Sequence, residues 1–291
     1  MRMIVAWVLT ILVSAAGTAT PAPCASLAGT PFEYQVAAGD SLEALAARFG
    51  VDAATIARRN QLKPGAKLKA GTLLRIEAIH IVPPSDRAIV VNLPQRMLFV
   101  LAEDGVRSFP IAAGRPSWQT PRGTFTVEMK EEDPTWDVPV SIQAEMRRAG
   151  KPVLERVPPS PENPLGRYWL GLSLPGIGIH GTNAPLSIHR LATHGCIRVH
   201  PDRIGELYDM VAEGTEGEIV YEPLLLAVVG GRAYVEANPD AYRRAPVTLT
   251  RLRELAEAAS ATALIDWTLA AEAVALKEGV AVDVSPSPGT R

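Results

Sequence analysis

Cysteine is almost absent from this chain, which has two in 291 residues, Cys24 and Cys196. An excess of one charge is also missing: 29 basic and 31 acidic residues leave a net charge of −2, which excludes a protein that binds nucleic acid through a basic surface. Long hydrophobic runs are missing as well, since the apolar stretch at residues 3–16 is too short to cross a bilayer comfortably. We therefore expect neither a nucleic-acid partner nor a permanent transmembrane anchor.

The N terminus has the layout of a secretory signal. Arg2 precedes the apolar stretch, and small residues follow it up to Ala28. A lipoprotein signal needs a small residue before its cysteine, but Pro23 stands before Cys24. We therefore predict a signal peptide over residues 1–28, cleavage after Ala28 and an exported protein without a lipid anchor. The mature chain would keep only one cysteine and could form no internal disulfide.

Histidines cluster around Cys196 in the sequence. Four of the five histidines fall within 21 residues, at His180, His189, His194 and His200. A lone cysteine among histidines is typical of a cysteine nucleophile, because a thiol with a pKa of about 8.5 needs a base or a positive field to attack near neutral pH. Zinc is the alternative, but the spacing matches none of the common paired-ligand patterns. We therefore expect a cysteine enzyme with no metal and no other cofactor.

Residues 32–77 have the pattern of a small module with the order strand, helix, helix, strand. Asp40 and Glu43 have the spacing of a capping box, and the apolar stripe that follows ends at Gly50. A second helix is predicted over 52–59, with extended runs before the first helix and after the second. The pattern predicts a compact βααβ module.

Short motifs run along the full length of this module. They are Tyr34-Gln35-Val36, Gly39-Asp40-Ser41-Leu42, Leu45-Ala46, Phe49-Gly50, Ile56, Asn60, Leu62, Leu68, Gly71 and Leu74-Arg75-Ile76. Together they resemble the motifs of a LysM domain. The resemblance implies binding of the glycan strands of peptidoglycan through the loops at 38–42 and 60–65. We expect the module to act as a tether, so removing residues 32–77 should weaken binding to the polymer and spare turnover of soluble fragments.

A Pro-Pro linker, Pro83-Pro84, separates this module from a β-rich region. Short runs of branched and aromatic residues alternate there with turn signals and prolines, which predicts a β-sandwich or barrel. An amphipathic helix is predicted over 201–212, directly after the cysteine segment. Mixed extended and helical patterns predict an α+β subdomain over 223–284, followed by a disordered tail at 285–291.

Five motifs run in order through the β-rich region. They are TPRGTF at 120–125, PTW at 134–136, NPLG at 163–166, IHGTN at 179–183 and THGCIR at 193–198. In this order they resemble the catalytic domain of the YkuD-type L,D-transpeptidases over about residues 87–222. Two positions depart from the pattern: Thr193 stands where many relatives have serine, and His189 where relatives often have glycine.

The resemblance implies catalytic roles for residues of two of these motifs. Cys196 is the expected nucleophile and His180 its base, with the carbonyl of Gly181 orienting the second ring nitrogen. Gly195 is expected to let the chain turn closely, so that amide groups around it and Cys196 hold the oxyanion. His194 is expected to shape this turn or to assist there.

Three further residues are expected to bind substrate. Arg198 would do so by a charge-assisted hydrogen bond, and Thr193 and Trp136 would line the cleft. We expect His189 and His200 to be solvated or to have a structural role, and not to take part directly in catalysis.

The residues and the resemblance together predict a periplasmic peptidoglycan L,D-transpeptidase. Cys196 would form a thioester with a tetrapeptide stem, release D-alanine and pass the acyl group to an amine of another stem or to a lipoprotein lysine. Water as the acceptor would instead make the protein an L,D-carboxypeptidase or hydrolase. A degenerate site would leave a peptidoglycan-binding wall protein without catalysis.

Overall fold

A computed structural model describes residues 25–287, so residues 1–24 of the predicted signal peptide lie outside the described residues. The N-terminal part contains β1 (Ser26–Ala28), β2 (Pro31–Gln35), α1 (Leu42–Phe49), α2 (Ala53–Arg59), β3 (Leu73–Glu77) and β4 (His80–Val82). β2 and β3 pair antiparallel, and the two helices pack on them around a core that includes Leu45 and Ile56. This is the βααβ order that the sequence predicts.

The caps of α1 explain where this helix begins and ends. The prediction that Asp40 caps it is wrong by one residue, since the hydroxyl of Ser41 accepts the hydrogen bond from the Ala44 N–H at 3.1 Å. The Asp40 carboxylate instead accepts hydrogen bonds from the Ala37 N–H and the Tyr34 hydroxyl, and it fixes the loop before the helix. Gly50 ends the helix as predicted, with a left-handed φ of 72°.

The short strand β1 bears on the predicted signal cleavage. It pairs antiparallel with β4 and buries Ala28 in a cluster with Val82, Met97 and Phe99. Cleavage after Ala28 would remove this strand, whereas cleavage before Ala25 would keep it. The position of cleavage stays a prediction of the sequence.

The middle part is mainly β. It contains β5 (Ile89–Asn92), β6 (Met97–Ala102), β7 (Gly105–Gly114), β8 (Gly123–Glu132), β9 (Trp136–Asp137), α3 (Val140–Arg148), β10 (Arg156–Val157), β11 (Tyr168–Leu172), β12 (Gly178–His180), β13 (Leu191–Thr193), β14 (Ile197–Val199), α4 (Pro201–Met210) and β15 (Glu216–Val220). A 3₁₀ turn, Pro185–Ser187, lies between β12 and β13.

Eight of these strands close on themselves, in the order β7, β14, β12, β11, β8, β15, β5, β6 and back to β7. The long strands β7 and β8 make the closure possible, because each pairs with one neighbour along its first half and another along its second. Their apolar residues form one core, which includes Phe109, Ile111, Ile179 and Ile197. The predicted sandwich or barrel is confirmed, and β12 and β14 lie side by side within it.

Two helices flank this sheet. α4 follows the cysteine segment as predicted; the His200 side chain caps it by accepting a hydrogen bond from the Asp202 N–H. α3 is not predicted by the sequence, and none of its residues is buried. Its residues Ser141 and Ile142 line the cavity of the site described below.

The C-terminal part is α+β, as predicted. It contains β16 (Leu224–Val229), β17 (Arg232–Ala237), α5 (Leu249–Ala258), α6 (Trp267–Leu276) and β18 (Ala281–Asp283), with the strands in one antiparallel sheet. Ser285, the first residue of the predicted tail, accepts a hydrogen bond from the Ala233 N–H, and residues 288–291 lie outside the described residues. No helix within 25–287 combines the length and the apolar character needed to span a bilayer.

Candidate active site

Cys196 lies in the tight turn between β13 and β14. Gly195 has a φ of +116°, and a Cβ there would come within 3.1 Å of the Ile177 side chain, so the turn requires glycine. The Thr193 hydroxyl donates to the Cys196 carbonyl at 2.6 Å and accepts from the Gly195 N–H at 3.1 Å. The Thr120 hydroxyl donates to the Gly195 carbonyl at 2.8 Å. Two threonine hydroxyls therefore hold the turn that presents the thiol.

His180 ends β12, the strand beside β14. It is buried, and it lines with Cys196 a cavity of about 390 Å³. Its Nδ1 lies 2.6 Å from the Gly181 carbonyl, the contact that the sequence predicts. Because a carbonyl can only accept, Nδ1 carries the proton and Nε2 is left as a base. The Trp169 ring stacks on the imidazole with centroids 5.7 Å apart, which fixes its plane.

The protonation states of the pair follow from burial. Burial disfavours the imidazolium form of His180, and the positive charge of Arg198 adds to this, so the pKa of His180 is lowered to about 4. Burial raises the pKa of the Cys196 thiol, against the opposing effects of the Gly178 N–H and of Arg198. At neutral pH the resting pair is therefore a neutral thiol and a neutral imidazole.

Arg198 lines the same cavity with an unpaired charge. Its register neighbour across the parallel β12–β14 pair is His180. Within residues 25–287 no carboxylate lies close enough to form a salt bridge with it, and its Nη1 makes only a 3.4 Å contact with the Ser187 hydroxyl. Burial lowers the pKa of this guanidinium. The cavity thus holds a partly buried cation that an anionic group of a ligand could pair with.

The other two residues predicted to bind substrate are placed differently. Thr193 lines the same cavity as Cys196, but it is 1% exposed and its hydroxyl is used twice inside the turn, so it supports the turn and has no free hydroxyl to offer a ligand. Trp136 lines the cavity at Cys196 and also a second cavity of about 370 Å³ that reaches Cys196 from the side of Met129 and Trp169. Two cavities therefore meet at the thiol.

His194 lines the cavity at Cys196, and its imidazole is held by contacts on the side of α3. Its Nε2 lies 2.6 Å from a carboxylate oxygen of Glu145 on α3 and 3.0 Å from the Arg115 guanidinium. Arg115 also pairs with Glu145 at 3.0 Å, and the edge of the Trp118 ring lies against the imidazole. The pKa of Glu145 is lowered by its hydrogen bonds to His194 and Arg115. His194 therefore joins the cysteine turn to α3.

Sequence reasoning missed Trp169 and Glu145. A signal for Trp169 was present, because the short turn at Gly176 between β11 and β12 sets a register that pairs Trp169 with His180. No signal pointed to Glu145, since its helix was not predicted.

The histidines do not converge on one metal site. His189 lies against Asp52 of the N-terminal part, and His200 caps α4. In the part of the chain from 25 to 287, no three His, Cys, Asp or Glu side chains come together as a metal site would require. His189 has a φ of +60°, a backbone conformation that glycine adopts at less cost than other residues.

Replacing Glu145 by glutamine is expected to loosen α3. The helix buries none of its residues, so its attachment depends on the contacts of Glu145 with His194 and Arg115. Amide hydrogen exchange in 140–148 should become about two- to fivefold faster, the range for an exposed ion pair. The control is Glu155→Gln, an exposed carboxylate that follows the helix; equal exchange in both variants would contradict this attachment.

Comparisons with known proteins agree with this architecture. Residues 86–221 match the YkuD family, described as the L,D-transpeptidase catalytic domain, and residues 34–77 match the LysM domain. The Escherichia coli protein named "Probable L,D-transpeptidase ErfK/SrfK" is 35% identical over 190 residues, which are 63% of this chain and 60% of that protein. The Bacillus licheniformis protein named "Putative L,D-transpeptidase YkuD" is 33% identical over 187 residues, which are 64% of this chain and 97% of that protein.

Among solved structures, the chain is similar to the catalytic domain of an Enterococcus faecium L,D-transpeptidase acylated by ertapenem. The TM-score is 0.36 and the sequence identity is 28%, and the match covers 48% of this chain and 100% of that one. The alignment with ErfK/SrfK spans 60% of that relative's length, whereas the alignment with YkuD spans nearly all of it. The chain belongs to the YkuD family of L,D-transpeptidases and carries a LysM domain.

Proposed function

We propose that this protein is a periplasmic L,D-transpeptidase acting on peptidoglycan stem peptides, with Cys196 as nucleophile and His180 as base. The observation that carries the proposal is the cavity in which Cys196, a neutral His180 and the unpaired Arg198 meet. A neutral imidazole can take the thiol proton on its unprotonated ring nitrogen, and an unpaired guanidinium can hold the carboxylate at the end of a stem.

The first half of the reaction forms a thioester. The thiol proton passes to Nε2 of His180 while Sγ attacks the carbonyl between the third and fourth residues of a tetrapeptide stem. The Thr193 hydroxyl accepts the hydrogen bond of the Gly195 N–H, which leaves the N–H of Cys196 to donate to the oxyanion. The intermediate collapses, the C–N bond breaks, and D-alanine leaves with the proton that His180 returns to its amine.

The second half transfers the acyl group to an amine. His180 takes a proton from the incoming amine as the new C–N bond forms. The C–S bond then breaks, and His180 passes that proton to Sγ, which restores the thiol and the neutral imidazole. The meeting of two cavities at Cys196 supports two substrates, with the donor stem in one and the acceptor in the other. The acceptor is the amine of a second stem, which gives a 3–3 cross-link. The side-chain amine of a lipoprotein lysine is the alternative acceptor.

The LysM domain would bring the enzyme to its polymer. Its α1 faces the catalytic domain, and the loops expected to bind glycan stay open to solvent, since Ala38, Gly39, Lys63 and Pro64 are exposed. Peptidoglycan is therefore the proposed partner of both domains, with glycan strands on the LysM loops and stem peptides at Cys196.

Purified disaccharide-tetrapeptides incubated with the protein, beside Cys196→Ala, test this function. Mass spectrometry should detect cross-linked dimers that have lost one D-alanine, and the variant should form none, because no other thiol lies within residues 25–287. Tripeptide without dimer would show that water is the acceptor and would replace the proposal by an L,D-carboxypeptidase. No product, together with no labelling of Cys196 by a carbapenem, would favour a binding-only wall protein.

A further inference from the structure

The LysM domain is docked on the chain segment that connects the base to the nucleophile. This connecting segment, residues 181–193, leaves His180 at one end and reaches the cysteine turn at the other. Helix α1 packs on its 3₁₀ turn and on β7, and Ala47 of the helix is buried with Ala112 and Ile188. At Gly50 a Cβ would lie 2.7 Å from the Met97 sulfur, so the two domains are in close contact.

A charged pair lies at the centre of this contact. The Asp52 carboxylate, at the N terminus of α2, pairs in a bidentate way with the Arg96 guanidinium, with N–O distances of 3.0 and 3.1 Å. Arg96 also donates to the His189 carbonyl at 3.4 Å, and the His189 Nε2 lies 3.4 Å from Asp52. Burial alone would raise the pKa of Asp52, but the contact with the His189 imidazole and the charge of Arg96 hold it below its usual range.

His189 is also held in place by β7 of the catalytic domain. The His189 N–H donates to the Ile111 carbonyl at 3.0 Å, and the Ala113 N–H donates to the Arg190 carbonyl at 3.1 Å, which aligns β13 with β7. His189 has a left-handed φ of +60° and is 4% exposed, so its backbone conformation is one that a non-glycine residue adopts only when its surroundings impose it. Asp52 and Arg96 supply part of that constraint.

We propose that Asp52 is a positioning residue of the active site, contributed by the LysM domain. Through Arg96 and His189 it fixes the connecting segment, and with it the relative placement of His180, Cys196 and the Ser187 hydroxyl beside Arg198. The LysM domain is then a structural part of the catalytic centre, in contrast to the independent tether that the sequence predicts. This inference rests on the proposed function only where turnover is measured.

The test compares Asp52→Asn with Glu33→Gln in the full chain. Asparagine keeps the shape of Asp52 and removes its charge, whereas Glu33 is an exposed carboxylate on β2 of the same domain. For Asp52→Asn we expect kcat on soluble tetrapeptide to fall about tenfold with KM within about twofold, because a small misplacement of reacting groups acts on the chemical step. Alkylation of Cys196 by iodoacetamide should slow to a similar extent, and Glu33→Gln should match the original protein.

Amide hydrogen exchange separates positioning from a general loss of stability. Exchange in 181–196 should become faster in Asp52→Asn, with the LysM core around Leu45 and Ile56 unchanged. Asp52→Glu keeps the charge and should recover most of the rate, and Arg96→Gln should reproduce the defect from the other side. Unchanged alkylation and unchanged exchange in 181–196 would overturn the proposal, as would slower alkylation accompanied by faster exchange throughout the chain. The alkylation rate and the hydrogen exchange can both be measured even if the original protein forms no cross-linked product.

Discussion

Replacing His180 by glutamine is expected to slow acylation of Cys196 at pH 7 by about 10²- to 10⁴-fold, the range for loss of a general base. Glutamine retains hydrogen-bonding groups but has no nitrogen that can take a proton at this pH. Because burial raises the pKa of the Cys196 thiol, little thiolate forms without the base. Stopped-flow measurement of carbapenem acylation would give this rate directly.

The pH profile supplies the second part of this prediction. The pKa of His180 is lowered to about 4, so its imidazole is neutral and active above that pH and becomes protonated as the pH falls through it. We expect kcat/KM of the original protein to fall on the acid side near pH 4, well below the value of about 6.5 for an ordinary histidine. In His180→Gln this acid limb should vanish, and the rate should rise with pH as the thiol ionises.

His200→Gln is the matched control, since His200 only caps α4. Its profile should keep the acid limb of the original protein, with at most a small loss of stability from the weakened cap. An acid limb that persists in His180→Gln would identify a different group as the base.

The parts of the fold that the sequence predicts are those with a local signal. The βααβ module, the short strands and the helix after Cys196 each have their own periodicity or turn residues. The contact between His180 and the Gly181 carbonyl was expected from the family resemblance, and it joins adjacent residues. Even the cap of α1 was misplaced by only one position, as Asp40 and Ser41 are both good caps.

The parts that were missed depend on contacts between distant residues. Helix α3 has no apolar stripe to bury, so periodicity could not find it, and Glu145 and its contact with His194 were missed with it. Asp52 and Arg96 are 44 residues apart, and nothing local indicates that they meet. The docked position of the LysM domain follows from the folded surfaces of both domains, which no single segment encodes.

Replacing Arg198 by methionine is expected to lower kcat/KM roughly 10- to 100-fold and to leave stability unchanged or raised by up to about 1 kcal/mol. In the free protein this partly buried guanidinium has no carboxylate partner among residues 25–287, so its burial costs free energy that methionine would not incur. In the complex the same guanidinium would pair with the stem carboxylate, and it also opposes the rise in the pKa of the Cys196 thiol.

Arg203→Met is the control, because Arg203 pairs with Glu206 at 2.7 Å on α4 and lies over the Phe109 ring, outside the cavity at Cys196. That variant should keep kcat/KM and lose a little stability, the reverse of the result for Arg198. Thermal unfolding and steady-state kinetics on the same two preparations would show the contrast. If Arg198→Met unfolded at lower temperature and kept its kcat/KM, the arginine would be a support of the sheet, and the anionic subsite beside Cys196 would have to lie elsewhere in the two cavities.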